Sequence, residues 1–138
     1  MSEQENTYLF VYGTLRKGVG HSMYTFLDSY AEFICFSKFQ GKLYDFIYYP
    51  GAVESNNLND WVYGELYRLN NPDYLLTMLD KYEGCSSDDP EPTEFVRKKR
   101  TVQCTDGQRM SAWIYLYNLS TQSFSPIVSG DFLNPGKK

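Results

Sequence analysis

An unbroken apolar run, Tyr8-Leu9-Phe10-Val11-Tyr12, is the first strong pattern in the chain. So short a run, with no polar alternation, predicts a strand buried on both faces. It stops at Gly13, and a glycine-rich loop extends to Gly20. Met23, Phe26 and Leu27 then recur at helical spacing, which predicts a short helix over 22–27. Apolar and aromatic stretches from Glu32 to Tyr44, broken at Gly41, predict strands, and Tyr48 to Gly51, which contains Pro-Gly, predicts a turn. Trp61–Leu69 predicts another strand. Asn71-Pro72 has the form of a helix start, with Asn as the capping residue and Pro at the first helical position. Leu75, Leu76 and Leu79 build one apolar face, and Gly84 is the expected stop. After an acidic loop from Ser86 to Glu94, strands are predicted over 95–104 and 109–117, joined by Asp106-Gly107, a strong hairpin signal. The tail from Asn118 is Ser-, Thr- and Pro-rich and is expected to lie over the surface. The pattern as a whole predicts an α+β chain: a mostly antiparallel sheet of about six strands with two helices.

With 138 residues and 42% hydrophobic content, this pattern fits one domain spanning the chain, with flexible ends at 1–6 and 133–138. The abundance of Tyr and Phe favours strands over helices. The net charge of −4 argues against a nucleic-acid partner, because phosphates are held by Lys and Arg. The one basic run, Arg97 to Arg100, falls in a predicted strand, where alternation splits it between two faces; a solvated strand edge is the expectation. Cys35, Cys85 and Cys104 are odd in number and widely spaced, which predicts free thiols rather than a disulfide framework. No leader or membrane span is visible in the sequence, so a cytoplasmic protein without a membrane partner is expected.

The side chains that could do chemistry are few. His21 is the one histidine, and its polar loop makes a surface residue the simpler reading. Cys85 has no neighbour in sequence that would lower its pKa. No carboxylate spacing suggests a metal, and no phosphate-binding glycine pattern occurs, so neither metal nor cofactor is expected. Two features remain. Gly13-Thr14-Leu15 follows a strand, where consecutive N–H groups can converge on an anion; an ordinary strand-ending turn is the alternative. Glu83 sits at a helix C-terminus, where the negative end of the dipole and any burial raise a carboxyl pKa; a solvated helix-end glutamate is the alternative.

The series as a whole resembles the gamma-glutamylcyclotransferase-like superfamily. The resemblance begins at Tyr12-Gly13-Thr14-Leu15-Arg16-Lys17-Gly18 and runs through Gly41–Asp45, Tyr49-Pro50-Gly51 and Val62–Tyr67. It continues through Leu79-Asp80-Lys81-Tyr82-Glu83-Gly84 and Ala112–Tyr115 to Ser129-Gly130-Asp131-Phe132. It is similar above all to the gamma-glutamylamine cyclotransferase branch. The resemblance implies a small mixed, mostly antiparallel β-barrel with two flanking helices. It implies Glu83 as catalytic acid/base, Gly13, Thr14 and Leu15 as the loop holding a substrate α-carboxylate, and Tyr12 and Tyr115 as pocket walls. The family often carries Tyr two residues before the arginine of the following strand. Here Phe95 precedes Arg97, so any contact made by that hydroxyl is missing.

The implied reaction suits the inventory. A γ-glutamyl compound carries its own nucleophile, since its α-amine can close onto the γ-carbonyl and release 5-oxoproline. Such intramolecular attack exploits effective molarities of about 10⁵–10⁸ M without metal or cofactor. The expected partner is thus a small γ-glutamyl molecule, handled by a monomer or weak homodimer. Two other readings are a relative acting on γ-glutamyl groups in synthesis or repair, and a non-catalytic binder of γ-glutamyl or other acidic metabolites.

Overall fold

The computed structural model describes residues 6–17 and 22–134; the expectations for His21 and for residues 1–5 and 135–138 lie outside it. Its elements are β1 (Tyr8–Val11), α1 (Ser22–Tyr30), β2 (Ala31–Phe39), β3 (Gly41–Asp45), β4 (Pro50–Glu54), β5 (Val62–Leu69), α2 (Pro72–Glu83), β6 (Phe95–Cys104), β7 (Arg109–Tyr117) and β8 (Ser125–Pro126). The eight strands lie in the order β1-β5-β2-β6-β7-β4-β3-β8. A parallel contact between Leu9 and Trp113 joins β1 back to β7. That contact closes β1-β5-β2-β6-β7 into a five-stranded barrel, with β4, β3 and β8 extending from β7. Pairing is antiparallel except for β1–β7 and β4–β7.

The apolar run at the start becomes β1 because it is buried twice. Phe10 and Tyr12 enter the barrel interior with Phe39, Leu66, Val102 and Ile114. Leu9 and Val11 face the opposite way, into a layer with Leu27 of α1 and Leu75, Leu76 and Leu79 of α2. The helical periodicity in α2 therefore supplies the cover for one outer face of the barrel. The hairpin at Asp106-Gly107 forms as expected, with Gly107 at φ 90° and its N–H donating to the Cys104 carbonyl at 2.9 Å.

Three expectations are corrected. The turn expected at Tyr48 to Gly51 lies two residues earlier: Pro50 and Gly51 begin β4, and the chain reverses over Phe46–Tyr49, with the Phe46 N–H donating to the Tyr49 carbonyl at 3.0 Å and Ile47 at φ 81°. Asn71 makes no side-chain cap; it holds a left-handed conformation (φ 51°, ψ 59°), which Asn tolerates better than most residues. The basic run lies on a solvated strand edge as expected: the pairing of β6 with β2 is confined to Gln103 and Cys104, and Lys98 and Lys99 are exposed, while Arg97 is held by Asp80 and Arg100 by Glu54. The cysteines are not all free: Cys35 and Cys104 form a disulfide, leaving Cys85 as a thiol. A register shift at Ile34 turns Cys35 toward the barrel interior, and the pairing of Ser37 with Cys104 brings the second cysteine alongside. That shift has no signature in sequence spacing.

Candidate active site

A cavity of about 400 Å³ opens where the loop after β1, the end of α2 and the start of β4 and β6 converge. Every residue expected at the site borders it: Tyr12, Gly13, Thr14, Leu15, Glu83 and Tyr115. Glu94, Phe95 and the Phe46–Pro50 segment complete the wall through Tyr48, Tyr49 and Pro50.

Glu83 is the last residue of α2. Gly84 stops the helix in a left-handed turn (φ 73°), and the Cys85 N–H donates back to the Asp80 carbonyl at 2.9 Å. Burial pushes the Glu83 carboxyl up to about 7, reinforced by the negative charges of Glu94 and then Asp80. One helical turn earlier, Asp80 accepts from Arg97 Nε at 2.7 Å, Arg97 Nη2 at 3.1 Å and the Tyr115 hydroxyl at 2.7 Å. The Arg97 guanidinium also lies 4.3 Å from the centre of the Trp113 ring. Thus β6 and β7 grip the end of the helix that carries Glu83. Tyr115 borders the cavity with its ring while its hydroxyl is committed to Asp80. Tyr12 is committed likewise: its hydroxyl donates to the Tyr115 carbonyl at 2.5 Å and accepts from the Ala52 N–H at 3.1 Å, stitching β7 to β4.

The loop after β1 is fixed from beneath. Arg16 is buried and forms an ion pair with Glu65 (Nε–Oε2 3.2 Å) and another with Asp131 (Nη1–Oδ1 2.7 Å). Glu65, also buried, further accepts from the Lys17 N–H and from the Tyr67 hydroxyl, each at 2.9 Å. A turn closes as the Arg16 N–H donates to the Gly13 carbonyl at 3.0 Å. Among the described residues, the N–H groups of Gly13, Thr14 and Leu15 have no carbonyl partner. The absence of a side chain at Gly13 serves the protein itself: a carbon there would lie 2.8 Å from Pro50 Cγ and 3.0 Å from Cδ. Thr14 Oγ1 lies 3.3 Å from the Tyr82 hydroxyl, linking the loop to the end of α2.

Sequence reasoning did not single out Glu94, Tyr49, Arg16, Glu65 or Asp131 as site residues. Arg16, Glu65 and Asp131 stand in stretches that carry the resemblance, so the signal was present, but a pairing across 49 and 115 residues cannot be read from spacing. In sequence, Glu94 ends the acidic loop that begins at Ser86 and carries no signal of its own. It borders the cavity and accepts a hydrogen bond of 2.5 Å from the Tyr49 hydroxyl, which pushes the Tyr49 phenol up to about 12. Cys85 is pushed up to about 11 by burial and by Asp80, which keeps it a protonated thiol at neutral pH. Among the described residues no group of three or more His, Cys, Asp or Glu side chains could hold a metal ion, and no helix is long and apolar enough to cross a membrane.

This architecture and sequence have known relatives. The chain is 32% identical over 129 residues to the gamma-glutamylcyclotransferase family protein YtfP of Escherichia coli (strain K12), covering 94% of this chain and 98% of that one. The solution structure of protein ytfP from Escherichia coli superposes with a TM-score of 0.62 at 31% identity, covering 93% of this chain and 97% of the other. An AIG2-like protein from Mus musculus shares the fold at a TM-score of 0.66 and 20% identity, over 86% and 82% of the two chains. Residues 9–134 match the gamma-glutamyl cyclotransferase, AIG2-like family, and the chain belongs to it.

Proposed function

We propose that the chain releases 5-oxoproline and a free amine from a γ-glutamyl amine or related γ-glutamyl compound, with Glu83 as general base and then general acid. The observation that carries this reading is a carboxyl pushed up to about 7 in a cavity that it shares with the Gly13–Leu15 loop. The substrate α-carboxylate accepts from the loop N–H groups, which folds the glutamyl chain with its α-amine toward Glu83. Glu83 takes a proton from the α-ammonium. For an ordinary glutamate, with a pKa of about 4.3 against about 8 for the amine, that transfer is uphill by roughly 5 kcal/mol. With Glu83 at about 7 the gap falls to about one unit, roughly 1.4 kcal/mol. The freed amine attacks the γ-carbonyl carbon, a C–N bond closes the five-membered ring, and the tetrahedral intermediate collapses with cleavage of the original amide. Glu83 returns its proton to the departing nitrogen, and the regenerated carboxylate takes the second proton that the ring nitrogen must lose and passes it to the released amine, so one carboxyl serves twice.

The test is direct. Purified protein is incubated with γ-glutamyl amines and γ-glutamyl amino acids, and 5-oxoproline is quantified. Release is expected from wild type and is expected to vanish in folded Glu83→Gln. No release from any conjugate by folded wild type, or undiminished release by Glu83→Gln, would refute the reading.

A further inference from the structure

We propose that Glu94, tethered by Tyr49, selects γ-glutamyl compounds whose leaving amine carries a second, positive charge. This inference rests on the proposed cyclotransferase reading and names its substrate class. The cavity wall holds two charged side chains among the described residues, Glu83 and Glu94, and no Lys, Arg or His. The γ-glutamyl part of a substrate has one carboxylate and one ammonium; the loop N–H groups take the first and Glu83 the second. Glu94 is left over. Its Oε2 is fixed by Tyr49, while Oε1 has no hydrogen-bond partner among the described residues. A second carboxylate in a semi-enclosed cavity attracts a cation and repels an anion, and the lower the local dielectric the stronger both effects. Tyr48, Tyr49 and Tyr82 line the same cavity and add aromatic surroundings that favour an ammonium group.

The same arrangement disfavours an ordinary γ-glutamyl amino acid. Its leaving amino acid carries a carboxylate, which would enter a wall with no basic partner among the described residues and face Glu94. A diamine conjugate places an ammonium there instead. Tyr49 anchors Glu94 to the turn before β4, so the selecting charge is attached to the scaffold. The tether also limits the length of tail that can reach it.

The experiment compares three γ-glutamyl conjugates with tails of matched length: 1,4-diaminobutane (cationic), n-pentylamine (neutral) and 5-aminopentanoate (anionic). Equilibrium binding is measured by calorimetry in the full chain carrying Glu83→Gln, which removes turnover, and again with Glu94→Gln added. The cationic conjugate is expected to bind about tenfold more tightly than the neutral one, the size of one modest ion pair, with the anionic conjugate weakest. Adding Glu94→Gln is expected to bring all three within about twofold of one another. Tyr49→Phe, which frees Glu94 without removing its charge, is expected to narrow the preference without abolishing it. The proposal is overturned if the order persists without Glu94, if Glu94→Gln weakens all three equally, or if none binds. Release of 5-oxoproline by wild type from the same conjugates is scored separately. Tight, charge-selective binding without turnover would refute the cyclotransferase reading and leave Glu94's selection standing, whereas turnover indifferent to tail charge would do the reverse.

Discussion

The Tyr115 hydroxyl donates to Asp80 Oδ1 at 2.7 Å, joining barrel strand β7 to α2 three residues before Glu83. Arg97 grips the other side of the same carboxylate. Glu83 therefore projects from a helix end held on two strands, and its position depends on groups whose polar atoms are committed to one another.

Loosening that grip has graded consequences. Tyr115→Phe removes one donor while Asp80 keeps Arg97, so a loss of about 1 kcal/mol is expected. Asp80→Ala leaves the half-buried Arg97 without its partner and is expected to cost more and to lower kcat further. Denaturant unfolding and 5-oxoproline kinetics on both variants check the order; equal effects would mean that Arg97 contributes little to holding the helix.

Glu83 sets the pH response. It works as a base only when ionised, so kcat/KM is expected to fall as pH drops through about 7. Its stability effect has the opposite sense. Between the ordinary value of 4.5 and about 7 the folded protein holds a proton that the unfolded chain has lost, so stability declines as pH rises through that window. The decline is at most on the order of 3 kcal/mol. Glu83→Gln should flatten it, which unfolding curves across pH 4–8 would reveal; an identical slope in both proteins would contradict the raised carboxyl.

Arg16→Ala leaves Glu65 buried with an uncompensated charge. Breaking a buried pair on one side costs about 3–5 kcal/mol, so a large loss of stability is expected. Replacing both Arg16 and Glu65 by apolar residues of similar volume should recover part of it. Thermal melts of the single and double variants decide the matter.

Gly13→Val drives a side chain into Pro50 at the head of β4. Displacing Pro50 reshapes the cavity wall, so KM is expected to rise with a modest loss of stability. Thr14→Ala, which removes the 3.3 Å contact to Tyr82 but leaves the loop N–H groups in place, should be mild. A severe defect in Thr14→Ala would transfer the anchoring role from the backbone to the hydroxyl.

Much of this was legible in the chain. The continuous apolar run at Tyr8–Tyr12 marks a doubly buried strand because both of its faces need apolar cover, and β1 has helices on one side and the barrel core on the other. Leu75, Leu76 and Leu79 mark the face of α2, and Asp106-Gly107 marks the hairpin. What escaped depends on register. The pairing of Cys35 with Cys104 follows from a shift at Ile34 that inverts which side of β2 faces inward. Pro50-Gly51 has turn chemistry but opens a strand, because the reversal is made by Phe46–Tyr49 with Ile47 in the left-handed region. Glu94 is local in sequence to Glu83, yet only the path of the intervening loop brings both to one cavity.

The bond from Arg16 to Asp131 has a bearing on how the protein is made. Arg16 leaves the ribosome well before its partner, since 115 residues separate it from Asp131. Gly130, whose carbonyl accepts from the Tyr63 N–H at 2.8 Å, arrives together with Asp131. The Arg16 anchor therefore stays incomplete until residue 131 has emerged, however early the barrel strands pair. A fragment stopped short of residue 131 would have one wall of its pocket only partly secured, with Arg16 retaining Glu65 alone as its acidic partner.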